Sequence, residues 1–141
     1  MNAARAQHVA ETIAPALAAG QTVVCDRFVD STLAYQGYGR GLELERLERI
    51  CALATGGLSP DVTLLLDVPV FVSRERLGMR GGPSDRLESE APDFHERVRA
   101  GFLALAAAAP RIRTLDGTVA LEDTLEAAWR IVATQLEITR T

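Results

Sequence analysis

The sequence predicts an α/β fold built on a parallel sheet, and three observations carry that prediction. Three short runs read as strands of a parallel sheet, the first two of them apolar and rich in β-branched or branched residues. They are Thr22-Val23-Val24 within 21–26, Val62-Thr63-Leu64-Leu65-Leu66 within 62–67, and the run over 111–116. Each ends in an aspartate, Asp26, Asp67 or Asp116. Helix-period segments separate the runs, as a strand–helix–strand chain requires. With 141 residues, 48% hydrophobic and 24% charged, the chain has the size and composition of one ordinary domain, or a piece of a larger one. No apolar run is long enough to span a membrane, and no secretory signal is expected ahead of the first helix. The net charge of −4 argues against a general nucleic-acid binder. All 15 basic residues are arginine, so the sequence holds no phosphate-loop lysine.

In order, residues 2–19 read as a helix, with Val9, Ile13 and Leu17 at a spacing of four, Pro15 bending it and Gly20 ending it. The strand expected over 21–26 would place Asp26 and Arg27 at its carboxyl end, where open α/β sheets hold ligands. Arg27 offers a planar donor fork suited to phosphate or carboxylate. Gly37, Gly39 and Gly41 read as a flexible turn. Residues 42–54 form a helix whose apolar face is Leu44, Leu47, Ile50, Cys51 and Ala54, closed by Gly56-Gly57. Cys25 and Cys51 show no metal or disulfide spacing and read as buried thiols of a reducing compartment.

Past the second strand, Asp67 reads equally as a helix cap or structural acid and as a site residue. A helix is expected over 70–78. The stretch 74–90 alternates arginine, glycine and acids and has the composition of a mobile lid. The next helix runs from Pro92 to about Ala109, buried through Phe94, Val98, Phe102 and Leu105. Arg97 and Arg99 read as ion-pairing residues that tether the lid. The last helix, from Glu122 to about Thr139, is expected to bury Leu121, Leu125, Ala128, Trp129, Val132 and Leu136.

The run Cys25-Asp26-Arg27-Phe28-Val29-Asp30-Ser31-Thr32-Leu33-Ala34-Tyr35-Gln36-Gly37-Tyr38-Gly39-Arg40-Gly41 resembles the acceptor region of bacterial thymidylate kinases, with Phe28 where that family has Tyr or His. Further matches are Ala3 and Arg5 with His8-Val9, the Pro60–Val68 string, Asp85-Arg86 followed by Glu88, and Phe94 with Arg97-Val98-Arg99. The resemblance implies a P-loop kinase-type parallel sheet that is incomplete. The first strand, the P-loop and the second strand are missing, roughly 60 residues for two strand–helix units. The whole of 1–141 would then be one partial domain, with 74–90 its lid.

The implied function is ATP-dependent phosphorylation of dTMP to dTDP with Mg²⁺, in the cytoplasm. The partners would be dTMP and ATP, with a homodimer possible, and neither nucleic acid nor membrane. By resemblance Arg27 grips the acceptor phosphate and Asp26 orients the acceptor or reaches the metal shell. Arg5, Ser31, Thr32 and Gln36 surround the base, and Tyr35 closes the space of a ribose 2′-hydroxyl. Arg76, Arg80 or Arg86 brings positive charge to the transferring phosphoryl. Without a P-loop the chain alone is expected to be inactive and unstable. The alternatives are a non-catalytic dTMP-binding module or a piece that completes a P-loop-bearing chain.

Overall fold

The computed structural model describes residues 2–80 and 90–137, with the Arg80 side chain excluded. The chain divides into two compact units, Met1–Ser59 and Pro60–Thr141.

The first unit is helical. Helix α1 (Asn2–His8) runs through a π-helical stretch, Val9–Ile13, into α2 (Ala14–Ala18). Pro15 explains the widening. It lacks the N–H that a regular turn would donate, and the N–H of the preceding residue, Ala14, reaches back five positions to the Val9 carbonyl. Val9 and Ile13 are buried, whereas Leu17, expected on the same face, is exposed. Gly20, at φ 73°, ends the helix, and the Gln21 N–H bonds to the Ala16 carbonyl at 3.0 Å.

Residues 21–26 form no strand. Their backbone joins no ladder and Val24 is 94% exposed. A β-branched run supplies propensity, but a strand exists only where a neighbour takes up its backbone groups. Cys25 is correspondingly exposed and not buried as expected, while Cys51 is buried.

Short α3 (Val29–Thr32) continues into a second π-helical stretch, Leu33–Gly39. Gly37 and Gly39 are therefore helical and buried, not a flexible turn. A Cβ on Gly37 would collide with Leu44 and touch Leu47, so this glycine lets α4 (Leu44–Thr55) approach. Gly41, at φ 73°, makes the turn between them. Leu47, Cys51 and Thr55 form the buried stripe of α4, and Ile50 is exposed despite the expectation. Gly56 caps the helix in the left-handed region, and the Gly57 N–H closes on the Ala52 carbonyl.

The second unit holds β1 (Thr63–Asp67), α5 (Val70–Arg80), α6 (Pro92–Ala108), β2 (Ile112–Asp116) and α7 (Leu121–Gln135). β1 and β2 pair in parallel, Thr63 with Ile112 through to Asp67 with Asp116, as two of the three expected strands. Parallel neighbours need a long crossover, and α5 and α6 lie in it. The register puts Leu66 and Leu115 on one face and Leu65 and Ile112 on the other. Phe94 and Val98 of α6 are buried. On α7 nothing is buried: Leu121 is 67% exposed, Leu125 58% and Trp129 38%, contrary to the expected core stripe. The expected lid begins as the last turns of α5, Arg86 lies outside the described residues, and so does the end expected for the last helix at Thr139. No described helix is long and apolar enough to cross a membrane.

Candidate functional site

Within the first unit, the packing of α1 near α3 and α4 sets Arg5 among fixed partners. Its Nη1 donates to Asn2 Oδ1 at 2.6 Å. Its Nη2 donates to the Phe28 carbonyl at 3.1 Å and to Thr32 Oγ1 at 2.9 Å. The guanidinium carbon also lies 5.5 Å from the centre of the Phe28 ring, a cation–π distance. Cys51 Sγ stands 3.9 Å from Arg5 Nη1 and from Asn2 Oδ1. Arg5 is thus no solvated helix charge. The motif signalled Arg5 itself, but the carbonyl of Phe28 and the thiol of Cys51 carry no sequence signal.

Arg27 has φ 61°, the left-handed region, which is uncommon for a residue with a Cβ. Backbone strain of this kind clusters at ligand sites. Its guanidinium carbon lies 5.4 Å from the Tyr35 ring centre, and the side chain is exposed. Cys25 Sγ contacts the Arg27 carbonyl at 3.6 Å. Asp26 is exposed in the same bend, so neither residue stands at the end of a strand. Thr32 is almost fully buried, and Ser31, Tyr35 and Gln36 are half-buried. One turn after Thr32, the Gln36 Oε1 atom is buried with no hydrogen-bond partner. A buried acceptor left unmatched costs about 1–3 kcal/mol. The structure therefore brings Arg5, Thr32 and Phe28 into one cluster, seats Arg27 on Tyr35, and leaves Gln36 needing a donor.

In the second unit, both strands end in engaged carboxylates. Arg99 donates from Nε to Asp67 Oδ1 at 2.7 Å and from Nη2 to Oδ2 at 2.9 Å. This bidentate grip holds the Asp67 carboxyl below the usual range, with partial burial opposing it. It also raises the Arg99 pKa. Asp67 is thus a structural acid by geometry, and Arg99 binds the end of β1. Asp116 accepts the amide and hydroxyl of Thr118 at 2.8 and 2.6 Å, which lower its pKa. Arg76 donates to the Gly117 carbonyl at 2.7 Å and the Thr118 carbonyl at 3.4 Å. Neither partner of Arg76 was legible, since both are backbone atoms 41 and 42 positions away. The Arg80 side chain and Arg86 lie outside the described residues.

Among the described residues no group of three or more His, Cys, Asp or Glu side chains gathers. Asp26 is a single exposed carboxylate, and Mg²⁺ is commonly held by one or two carboxylates together with waters and substrate phosphates.

A family profile described as Thymidylate kinase matches residues 1–128. The chain belongs to the thymidylate kinase family. Similar thymidylate kinases include one from a Synechococcus strain, 53% identical over 135 residues, which cover 95% of this chain and 64% of that protein. One from Desulfovibrio desulfuricans is 56% identical over 126 residues, 84% of this chain and 58% of that protein. One from Pelotomaculum thermopropionicum is 50% identical over 135 residues, 92% of this chain and 62% of that protein. This thymidylate kinase family chain spans about three fifths of the length of the curated relatives it matches.

Proposed function

We propose that this chain supplies the acceptor side of a dTMP kinase, the enzyme that moves the ATP γ-phosphoryl to dTMP and yields dTDP and ADP. The observation that supports it most is the Arg5–Thr32–Phe28 cluster beside the unmatched Gln36 carbonyl. Thymine presents both carbonyl acceptors for a guanidinium and an imide N–H for an amide oxygen. Arg5 and Gln36 supply those complements, with Ser31 and Thr32 as hydroxyl partners.

Arg27 grips the acceptor phosphate as an exposed fork held in place by Tyr35, and Asp26 orients the acceptor. Tyr35 crowds the position of a ribose 2′-hydroxyl. In the segment 74–90, which we assign as the lid, Arg76, Arg80 and Arg86 carry the charge for the transferring phosphoryl. An arginine in that role is worth about 10³–10⁵ in rate. Arg76 has to release the Gly117 and Thr118 carbonyls to take it.

The ATP phosphates need a cradle of backbone N–H groups and a lysine. These 141 residues contain neither Gly-x-x-x-x-Gly-Lys-Ser/Thr nor any lysine. The chain on its own therefore binds dTMP without turning over ATP. Titration calorimetry tests this directly. The expected result is saturable dTMP binding, weakened about tenfold or more by Arg5→Ala, the loss of a hydrogen bond to a charged group. Tyr35→Ala is expected to narrow the preference for dTMP over UMP. Wild-type protein that binds neither nucleotide overturns the reading.

A further inference from the structure

We propose that Asn2 and Cys51 are positioning residues for Arg5, a role that rests on the acceptor reading above. Together they hold its Nη1 nitrogen, so that the guanidinium meets the base of a nucleoside monophosphate in one fixed orientation. Asn2 is not among the motif matches, and Cys51 reads from sequence only as a buried thiol.

Asn2 and Arg5 stand three residues apart on α1, which makes their side chains neighbours on one helix face. Cys51 comes from α4, which packs against α1, and is 1% exposed. The three polar groups close a ring. Arg5 Nη1 donates to Asn2 Oδ1 at 2.6 Å and to Cys51 Sγ at 3.9 Å, and the Cys51 thiol donates to the same Asn2 Oδ1 at 3.9 Å. Sulfur is a weak partner in both directions, so Asn2 is the stronger anchor and Cys51 directs the second hydrogen of Nη1.

Each terminal guanidinium nitrogen carries two hydrogens. Those of Nη1 go to Asn2 and Cys51, and those of Nη2 go to the Phe28 carbonyl and Thr32 Oγ1. A planar fork fixed at both ends has lost its freedom to rotate. Among the described residues these contacts leave the Nε–H unused. The chemistry of the partners also separates Arg5 from Arg99. Arg99 is spent on a carboxylate, the two oxygens of Asp67. Among the described residues the hydrogen-bond partners of Arg5 are all neutral. Neutral acceptors orient a cation without cancelling its charge, which stays available for a charge-assisted bond to a ligand. A donor already in place spares the ligand the entropy of ordering a long side chain.

The test follows dTMP binding by titration calorimetry and the Arg5 Nε–H order parameter by NMR on the 141-residue chain, with urea titration as the check on folding. The wild-type order parameter is expected near about 0.85, the rigid range, and below about 0.6 in the Asn2→Leu/Cys51→Ala double variant. The affinity for dTMP is expected to fall about three- to tenfold in Asn2→Leu and in the double variant, and by less in Cys51→Ala. In an Arg5→Ala background the same substitutions are expected to cause no further loss, because they act through Arg5. Asn2 is half-buried at the start of α1, so Asn2→Leu still decides the matter if Cys51→Ala unfolds the chain.

The proposal fails if the variants leave the Arg5 order parameter or dTMP affinity unchanged. It fails equally if they weaken binding as much without Arg5 as with it, which would mark a general loss of structure. Wild-type protein that binds no dTMP overturns the acceptor reading and this role with it. Wild-type binding that is indifferent to Asn2 and Cys51 overturns this role alone.

Discussion

Arg27 sets two demands against each other at one position. Its backbone sits at φ 61°, where a side chain is strained, and its guanidinium lies on Tyr35. Glycine relieves the strain and deletes the charge. Arg27→Gly is therefore expected to leave stability unchanged or raise it by about 1 kcal/mol, while dTMP affinity falls. Paired urea titrations and calorimetry check this, and a variant that loses stability as well would make Arg27 a structural residue. Gln36 makes a related test. Gln36→Leu removes an unmatched buried acceptor, so the folded chain should tolerate it while nucleotide binding weakens. The motif made Arg5, Arg27 and Gln36 legible as candidates. The strain and the missing partner are matters of backbone angle and burial, which residue names do not encode.

The ends of the two strands are the most determined elements. The folded-state pKa of Asp67 is lowered by Arg99, so the pair contributes stability above the unfolded carboxylate value of about 3.9, and that contribution is lost as pH falls through the folded pKa. Asp67→Asn is expected to lower the urea midpoint at pH 7 and to make little difference near pH 2. An equal deficit at both pH values would rule out the ion pair as the cause. At the end of β2, the Gly117 N–H bonds to the Asp67 carbonyl at 2.9 Å. A Cβ there would meet Val68 Cγ2 at 2.5 Å and the Asp67 carbonyl oxygen at 3.2 Å. Gly117→Ala should cost about 1–3 kcal/mol, measured by denaturant unfolding. Helix α4 and its glycine cap were readable from spacing alone. The strand expected over 21–26 was not a strand, because propensity without a pairing neighbour leaves extended chain.

For the molecule as a whole, apolar side chains left in water are the dominant feature. Val24, Leu53, Leu66, Phe71, Leu121 and Leu125 are all more than half exposed, on both units. Such surface promotes association. The 141-residue chain is expected to bind a hydrophobic dye at neutral pH. Absence of dye binding would show that these side chains find cover in solution.

By itself the sequence determined what is local. Helices α4 and α6, the helix-ending glycines Gly20 and Gly56, the apolar run of β1, and the motif around Arg27 all follow from spacing and residue type within a few positions. Tertiary structure alone decided which apolar run became a strand, which glycine admitted a neighbouring helix, and where Arg5, Arg76 and Arg99 spend their donors. The reason is physical: a ladder, a close approach and an ion pair each need a second group brought near by the fold, and its distance along the chain bears no relation to its distance in space.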